Sequence, residues 1–420
     1  LRILSGEIDS FDGDLLRRLR CRNYHSKRKI TVLSLSPLVF LLEKYFNPHL
    51  RYVPDDQMHV SAVDLFCGAG GMTNGLEAAG ITVEAGLDVD PDCEFPYEHN
   101  NDAEFVEYDI GELARDEPEK VGEYLNSQAD ATLVAGCAPC QPFSPLTHGS
   151  DSSEHEKYGM LDAFLEIVRH VEPDFVAMEN VYEVRNTDVY EDFVDGLDEL
   201  GYNLNPEEDR RVYCPEYDIP QTRRRWIVLA SREGRIDLGD PINSHPDNYP
   251  SVRDYIDDLP QLRAGERSGE DWLHSARDLS ETNLERIRES RPGGTWRDWP
   301  ERLQLDCHKK ASGQTYESVY GRMKPTDPAP TITTQFYNLG SGRFGHYDTE
   351  QNRALSLREG ALLQTFPKDY RFTEDIDEVK IRKIGRLIGN AVPPKLGEVV
   401  GNRIQEFLEW SDRQATVTDF

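Results

Sequence analysis

The chain has 420 residues, with 47 Lys and Arg against 77 Asp and Glu, giving a net charge of −30. Its most apolar stretch, Ile30 to Phe46, is broken by Pro37 and two serines and is too short to span a bilayer, so we expect a soluble, cytoplasmic protein with no membrane partner. Seven scattered cysteines do not make a disulfide framework.

Only 12 of the 47 basic residues are lysine. An acidic, Lys-poor surface is the composition of a halophilic protein, because molar salt screens its self-repulsion. Such a total does not exclude a nucleic acid as substrate, since only the cleft needs to be basic. At molar salt, counterion release adds little affinity, so binding must lean on base contacts and shape.

Residues 1–57 carry 10 Lys and Arg against 7 Asp and Glu, leaving −33 for residues 58–420. Two readings stay open here. The segment is an extension upstream of a native start at Met58, or its Arg17–Lys29 stretch is a basic arm that touches phosphates.

From residue 59 strands and helices alternate. A strand over Ala62–Phe66 runs into the glycine-rich turn Cys67-Gly68-Ala69-Gly70-Gly71, and a short helix follows up to Gly80. Glycines let backbone approach a ligand, and a helix N-terminus favours anions. The next strands, Ile81–Leu87 and Phe105–Tyr108, end in Asp88 and Asp109. Asp88 is placed for ribose hydroxyls and Asp109 for an adenine amino group, although a strand-end Asp often merely caps a helix. Taken in order, these features fit an adenosine-containing cofactor.

The apolar run Ala131–Ala135 reads as a buried strand leading into Gly136-Cys137-Ala138-Pro139-Cys140-Gln141-Pro142-Phe143-Ser144. A thiol between two prolines at a strand end suggests a nucleophile. Cys137-Ala138-Pro139-Cys140 is also a C-x-x-C, which could be a redox pair or half a zinc site, but no second metal-binding pair follows it. Leu161, Phe164, Leu165, Val168 and Val171 form a helical stripe, and the strand Phe175–Met178 leads into Glu179-Asn180-Val181. A helix over Tyr190–Leu200 closes at Gly201.

After Arg235 periodicity fades. Residues 236–330 read as irregular, with two short helices; helices return at Ala354–Phe366 and Lys383–Trp410. The repeated strand–helix units predict an α/β fold: a Rossmann-like, mostly parallel sheet with helices on both faces, plus a smaller irregular domain.

In order, the chain holds Asp64-Leu65-Phe66-Cys67-Gly68-Ala69-Gly70-Gly71, Pro139-Cys140-Gln141, Glu179-Asn180-Val181, Gln221-Thr222-Arg223-Arg224-Arg225, Arg358-Glu359 with Gln364-Thr365-Phe366-Pro367, and Gly389-Asn390-Ala391-Val392. Over about residues 59–410 this resembles the DNA (cytosine-5) methyltransferase family. Ala138 stands where many members have a second proline, and Asp88 where glutamate is usual.

The resemblance implies S-adenosylmethionine as cofactor and no metal. Its site would include Phe66, Gly68, Gly70, Gly71, Asp88, Val89, Asp109, Ile110, Asn390 and Val392. Cys140 would add to cytosine C6 while a protonated Glu179 donates to N3. Arg223 and Arg225 would hold the base O2 or the Glu179 side chain. A duplex base must be flipped out for this attack. Gln141 and Ser144, followed by Leu146–Gly149, resemble the mobile loop that closes on it, and Thr333 and Thr334 a DNA-contacting segment. The implied domains are a catalytic domain over 58–234, a target-recognition domain over 235–384 and a returning segment over 385–420. Specificity would reside in 236–345, where Lys309, Lys310, Arg322 and Lys324 offer positive charge. Duplex DNA is the expected partner of a monomer, with a cognate restriction endonuclease as a second partner; tRNA cytosine is the alternative substrate.

Overall fold

The computed structural model describes residues 58–139, 155–308, 310 and 317–418, with 155–158 and 415–418 described by backbone alone. The 1–57 segment with its Arg17–Lys29 stretch, and Cys140, Gln141, Ser144, the 146–149 loop and Lys309, lie outside the described residues.

Every residue of β1 (Val60–Leu65) is buried. A strand so apolar on both faces belongs at the centre of a sheet. It pairs in parallel with β2 (Thr82–Asp88) on one side and β4 (Ala131–Gly136) on the other. Beyond β2 lies β3 (Glu104–Glu107), and beyond β4 lies β5 (Phe175–Val181), also parallel. The order then runs β5-β8-β6, with β8 (Arg224–Ser231) antiparallel to β5, β6 (Asn203–Leu204) and β7 (Arg211–Tyr213). Chain order reverses direction at β1, between β2 and β4, and a crevice opens there outside the carboxyl ends of the strands.

Helices cover both faces, as predicted. On β1, Val60 and Ala62 point to one core, Val63 and Leu65 to the other. The first core takes Met72 and Leu76 of α1 (Gly71–Ala78). The short α2 (Glu94–Asn100) follows β2 and supplies Tyr97 to the same core. The second core takes Ile110 and Leu113 of α3 (Ile110–Asp116) and Val121 of α4 (Lys120–Tyr124). It also receives Phe164 of α5 (His155–Val171) and Phe193 of α6 (Asp188–Glu199), whose rings lie 5.5 Å apart.

Past β8 regular structure thins, as the weak periodicity predicts. Two short helices appear, α7 (Val252–Ile256) and α8 (Glu281–Glu289). Here the charge expectation needs correcting at Arg322, which is fully buried. Its guanidinium donates to the carbonyls of Ile287, Ser290, His346, Asp348 and Gln351 and to Asn352 Oδ1. It is an internal clamp on the irregular segment, because only a planar cation with five donors satisfies so many carbonyls. Lys324 is exposed and pairs with Asp327 at 3.0 Å.

Two helix expectations also change. The helix foreseen over Ala354–Phe366 is shorter, α9 (Leu357–Leu363), because Ser356 and Glu359 form a capping box that sets its start. The single helix over Lys383–Trp410 is two, α10 (Ile381–Asn390) and α11 (Pro394–Thr418). Pro393 and Pro394 cannot continue α10, and Pro394 opens α11 at the position where a missing N–H is harmless.

The join between α10 and α11 lies directly over the glycine turn. A Cβ on Gly71 would stand 2.0 Å from the Val392 carbonyl oxygen, so glycine there lets the last motif touch the first. Gly71→Ala is therefore expected to cost about 2–3 kcal/mol by overpacking. Gly68→Ala, whose Cβ meets nothing within 4 Å, should cost only the about 1–2 kcal/mol of its left-handed backbone. Denaturant melts of the two variants would rank them; equal losses would refute the close-approach account.

Candidate active site

Phe66 follows β1 with φ +57, a conformation bulky residues rarely adopt. It starts a turn in which Gly70 donates to the Cys67 carbonyl at 3.0 Å and then caps α1 with φ +85. Asp88, the last residue of β2, braces this turn. Its Oδ2 accepts from Gly68 N–H and its Oδ1 from Asp90 N–H, each at 2.9 Å. Burial pushes the Asp88 carboxyl above its usual range, against the pull of those backbone bonds. Asp109 caps α3, with Oδ1 accepting from Gly111 and Glu112 N–H. The capping reading of Asp109 therefore holds, and the residue also faces the crevice.

Between these strand ends lies a cavity of about 310 Å³. Of the residues expected around the cofactor, Phe66, Gly68, Asp88, Val89, Asp109, Ile110, Asn390 and Val392 line it. Gly70 and Gly71 do not. A Cβ on Gly70 would stand 2.4 Å from Asn101 Nδ2, so both glycines are explained by packing against the chain itself. Val89 is 60% exposed at the rim and presents an apolar surface there.

Among the lining residues outside that expected set are Arg386 and Asp64, the latter quoted in sequence only as the start of the glycine motif. Arg386, on α10, reaches down to ion-pair with Asp90 and, at 2.7 Å, with Asp92. Asp64 is fully buried within β1; its Oδ2 accepts from Thr73 Oγ1 at 2.8 Å, and that hydroxyl also meets Tyr97 OH. Its Oδ1 is buried without a hydrogen-bond partner among the described residues. Burial, opposed by the Thr73 hydroxyl and reinforced by Asp88, pushes this carboxyl up to about 7. A charged residue inside an apolar strand was the available signal.

A second group stands one strand away. Glu179, 1% exposed, lies within β5, two residues before its end at Val181. In the antiparallel register Val181 opposes Arg225 and Glu179 opposes Ile227, so Arg225 lies diagonally across from Glu179 on the same face. Its Nε lies 2.7 Å from Glu179 Oε1 as an ion pair. Oε2 accepts from the Cys137 thiol. Asn180 donates from Nδ2 to the Ala138 carbonyl at 3.2 Å, which ties the residues before Cys140 to the acid's strand.

Arg223 is not brought to Glu179 by a bond. It is buried and donates to the carbonyls of Ile332 and Ala391, a joint between the segment leading to Thr333 and the last motif. Burial, then the neighbouring Arg225, lowers its guanidinium to about 10, so it remains charged at neutral pH. Gln221 works beside it, bonding Leu363, Gln364 and Ile332, while Gln364 reaches Ile388 and Ala391. Thr333 and Thr334 are half-buried and pack their backbone against Gly389.

Burial pushes the thiols of Cys67 and Cys93 well up, and that of Cys214 to about 12. All three stay protonated and are poor nucleophiles.

A family model for C-5 cytosine-specific DNA methylases matches residues 60–406, spanning both groups and the joints between them. The chain belongs to the C-5 cytosine-specific DNA methylase family. It is 46% identical over 352 residues to the type II methylase M.HgiDII of Herpetosiphon aurantiacus, covering 83% of this chain and 96% of that one. It is 27% identical over 374 residues to the type II methyltransferase M1.HphI of Haemophilus parahaemolyticus, covering 87% and 91%. Among solved structures, Dnmt2 methyltransferase of S. pombe aligns with a TM-score of 0.55 at 21% identity, covering 84% of this chain and 99% of that one. A prophage-encoded Escherichia coli protein aligns at 0.62 with 17% identity, covering 83% and 99%. These two likenesses establish the fold.

In this DNA (cytosine-5) methyltransferase, Asp64 makes stability depend on pH. Its folded pKa lies above the unfolded value, so the native state binds an extra proton between about pH 4 and 7 and loses stability as pH rises through that window. The full penalty, at most about 4 kcal/mol, applies above pH 7. Asp64→Asn should therefore melt higher than the wild type at pH 8, with the gap narrowing as pH falls through that window and closing only near pH 4. A gap independent of pH would refute the assignment.

Proposed function

We propose that the enzyme methylates C5 of cytosine within one short duplex DNA sequence, using S-adenosylmethionine and a covalent adduct between Cys140 and C6 of a flipped-out base. The observation that carries this is Glu179, buried near the end of β5 with Arg225 and Cys137 at its two oxygens, beside the lined cavity.

The cavity fits the cofactor chemically. Its size suits a small ligand. Asp64, Asp88, Asp90 and Asp109 line it, and the unpartnered Asp64 Oδ1 awaits a cationic or hydrogen-bonding group. A sulfonium and an ammonium supply both, and Val89 offers an apolar edge for a purine. S-adenosylmethionine supplies the electrophilic methyl group when bound. Asp88 and Asp109 take the nucleoside; Phe66, Ile110, Asn390 and Val392 enclose it.

The chain's residues then prepare the cytosine. The Cys140 thiolate forms a bond to C6, and the displaced electron pair is captured as Glu179 gives its proton to N3. C5 becomes nucleophilic and takes the methyl group, the electron pair of the broken methyl–sulfur bond staying on sulfur. A water or another base takes the C5 proton, that bond's electrons re-form the C5–C6 double bond, Cys140 leaves C6 as a thiolate, and Glu179 recovers its proton from N3. Arg225 holds Glu179 and the base O2 side; Arg223 keeps that wall in place. Gln141, Ser144, Thr333 and Thr334 contact the DNA, and residues 236–345 read the sequence. Domain limits at 58–234, 235–384 and 385–420 go with this reading, as does a monomer. The type II names of the relatives support a restriction–modification role with a cognate endonuclease, and the charge of −30 supports work at molar salt.

The test is methyl transfer from labelled S-adenosylmethionine to duplex DNA and to tRNA, in molar KCl and in dilute buffer, with Cys140→Ser as control. Label on DNA C5 that maps to one recurring sequence and vanishes in the variant is expected. Label on tRNA alone would overturn the substrate, and no dependence on salt would overturn the halophilic reading.

A further inference from the structure

Cys137 lies three residues before the proposed nucleophile, where a C-x-x-C reading assigns it to a redox pair or to half a zinc site. The sheet gives it another neighbour. β4 and β5 pair in register up to Gly136 and Met178, so Cys137, the first residue past β4, comes beside Glu179, which β5 carries on towards Val181. The Cys137 backbone is anchored to β1 by donating to the Leu65 carbonyl at 3.2 Å. Its thiol donates to Glu179 Oε2 at 2.7 Å, while Arg225 occupies Oε1. It also lines the cavity, so it stands between that space and the carboxyl group.

We propose that Cys137 is a positioning residue for the acid, holding Glu179 through both of its protonation states during turnover. The inference rests on Glu179 acting as the proton donor to N3. The carboxyl has two oxygens and two partners of opposite kind. Arg225 is a permanent cation at ion-pair distance from Oε1, which accepts no hydrogen bond among the described residues. A thiol is a weak donor and a weak acceptor. It donates to the carboxylate when Glu179 has given up its proton, and it can accept from the acid O–H once the proton returns. A second cation at Oε2 would hold Glu179 ionised, and an apolar side chain would leave Oε2 without a partner in a nearly fully buried site.

The experiment compares Cys137→Ala, Cys137→Ser, Glu179→Gln and Cys137→Ala/Glu179→Gln in the full chain. The readouts are single-turnover methyl transfer, KM for DNA, and tritium release from C5-tritiated cytosine DNA without a methyl donor. The last reports C6 addition and protonation alone. Cys137→Ala should lower kcat and tritium release about 10-fold, the effect of losing one hydrogen bond to a charged group, with KM unchanged. Cys137→Ser, which donates and accepts, should recover most of that loss. In the Glu179→Gln background Cys137→Ala should add nothing, whereas a folding defect would add its full effect there. Cys137→Ala at wild-type rate, or serine no better than alanine, would overturn the positioning role while Glu179→Gln remains impaired. Glu179→Gln at wild-type rate would overturn the acid assignment itself, and Cys137 would fall with it.

Discussion

Replacing Glu179 by glutamine is expected to lower single-turnover methyl transfer by about 10²- to 10⁴-fold, the usual contribution of a positioned general acid. Glutamine has the shape of the carboxyl group and can keep both neighbours. Its carbonyl oxygen can face Arg225, and its amide N–H₂ can face the Cys137 sulfur, a weak acceptor. It can donate a hydrogen bond to N3 of a bound cytosine but cannot release a proton. Charge that builds on the ring after C6 addition then has no proton to neutralise it. The variant should melt within a few degrees of the wild type and bind DNA and cofactor within a few-fold. Those two controls separate lost chemistry from a lost site. Arg225→Met should damage binding and melting as well, because it leaves the Glu179 carboxylate buried beside an apolar chain. A Glu179→Gln enzyme that transfers methyl groups at the wild-type rate would remove the acid role and require another group to neutralise the ring.

The strands that build the site were legible because they are apolar on both faces. Ala131–Gly136 and Phe175–Val181 could be read as buried from residue type alone, although the second strand, expected to stop at Met178, carries Glu179 inside it and runs on to Val181. Which arginine meets Glu179 was not legible. Arg223 and Arg225 are equivalent by type and spacing, and only the antiparallel register of β8 on β5 separates them. Gly70 and Gly71 look like a ligand cradle in sequence, yet their neighbours Asn101 and Val392 come from 31 and 321 residues further along. Arg322 reads as surface charge because no local pattern announces that carbonyls from several irregular turns converge on it. The break between α10 and α11 was available in Pro393-Pro394, and the apolar spacing of Leu396, Val400 and Ile404 outweighed it. Local chemistry reports strands, caps and turns; it is silent on which distant backbone a side chain will satisfy.

The same silence covers Glu359, whose replacement by glutamine should be strongly destabilising. Glu359 is fully buried at the first turn of α9. Arg353 donates to both of its oxygens at 2.7 Å, Ser356 N–H to Oε2 at 2.7 Å, and His346 lies 3.4 Å from Oε1. Burial alone would raise this carboxyl, but Arg353 and His346 together hold it well below the usual range. Glutamine keeps one acceptor, loses the charge and leaves the Arg353 cation buried without its counter-ion, a change that typically costs about 3–5 kcal/mol. The pH dependence follows from the depressed pKa. The stabilisation is present in full above the unfolded pKa and is lost as pH falls through the folded one. The gap in melting temperature between wild type and Glu359→Gln should therefore be constant from pH 8 to about pH 5 and shrink on further acidification. The damage should also reach the active site, because α9 runs into Gln364, whose amide accepts from Gln221 and donates to Ile388 and Ala391 around the cavity. Loosening α9 frees the join between α10 and α11 that presents Asn390 and Val392, so cofactor affinity should fall alongside stability even though Glu359 touches neither DNA nor cavity. A variant that melts early yet binds S-adenosylmethionine as tightly as wild type would show that α9 and the cavity are not coupled through Gln364.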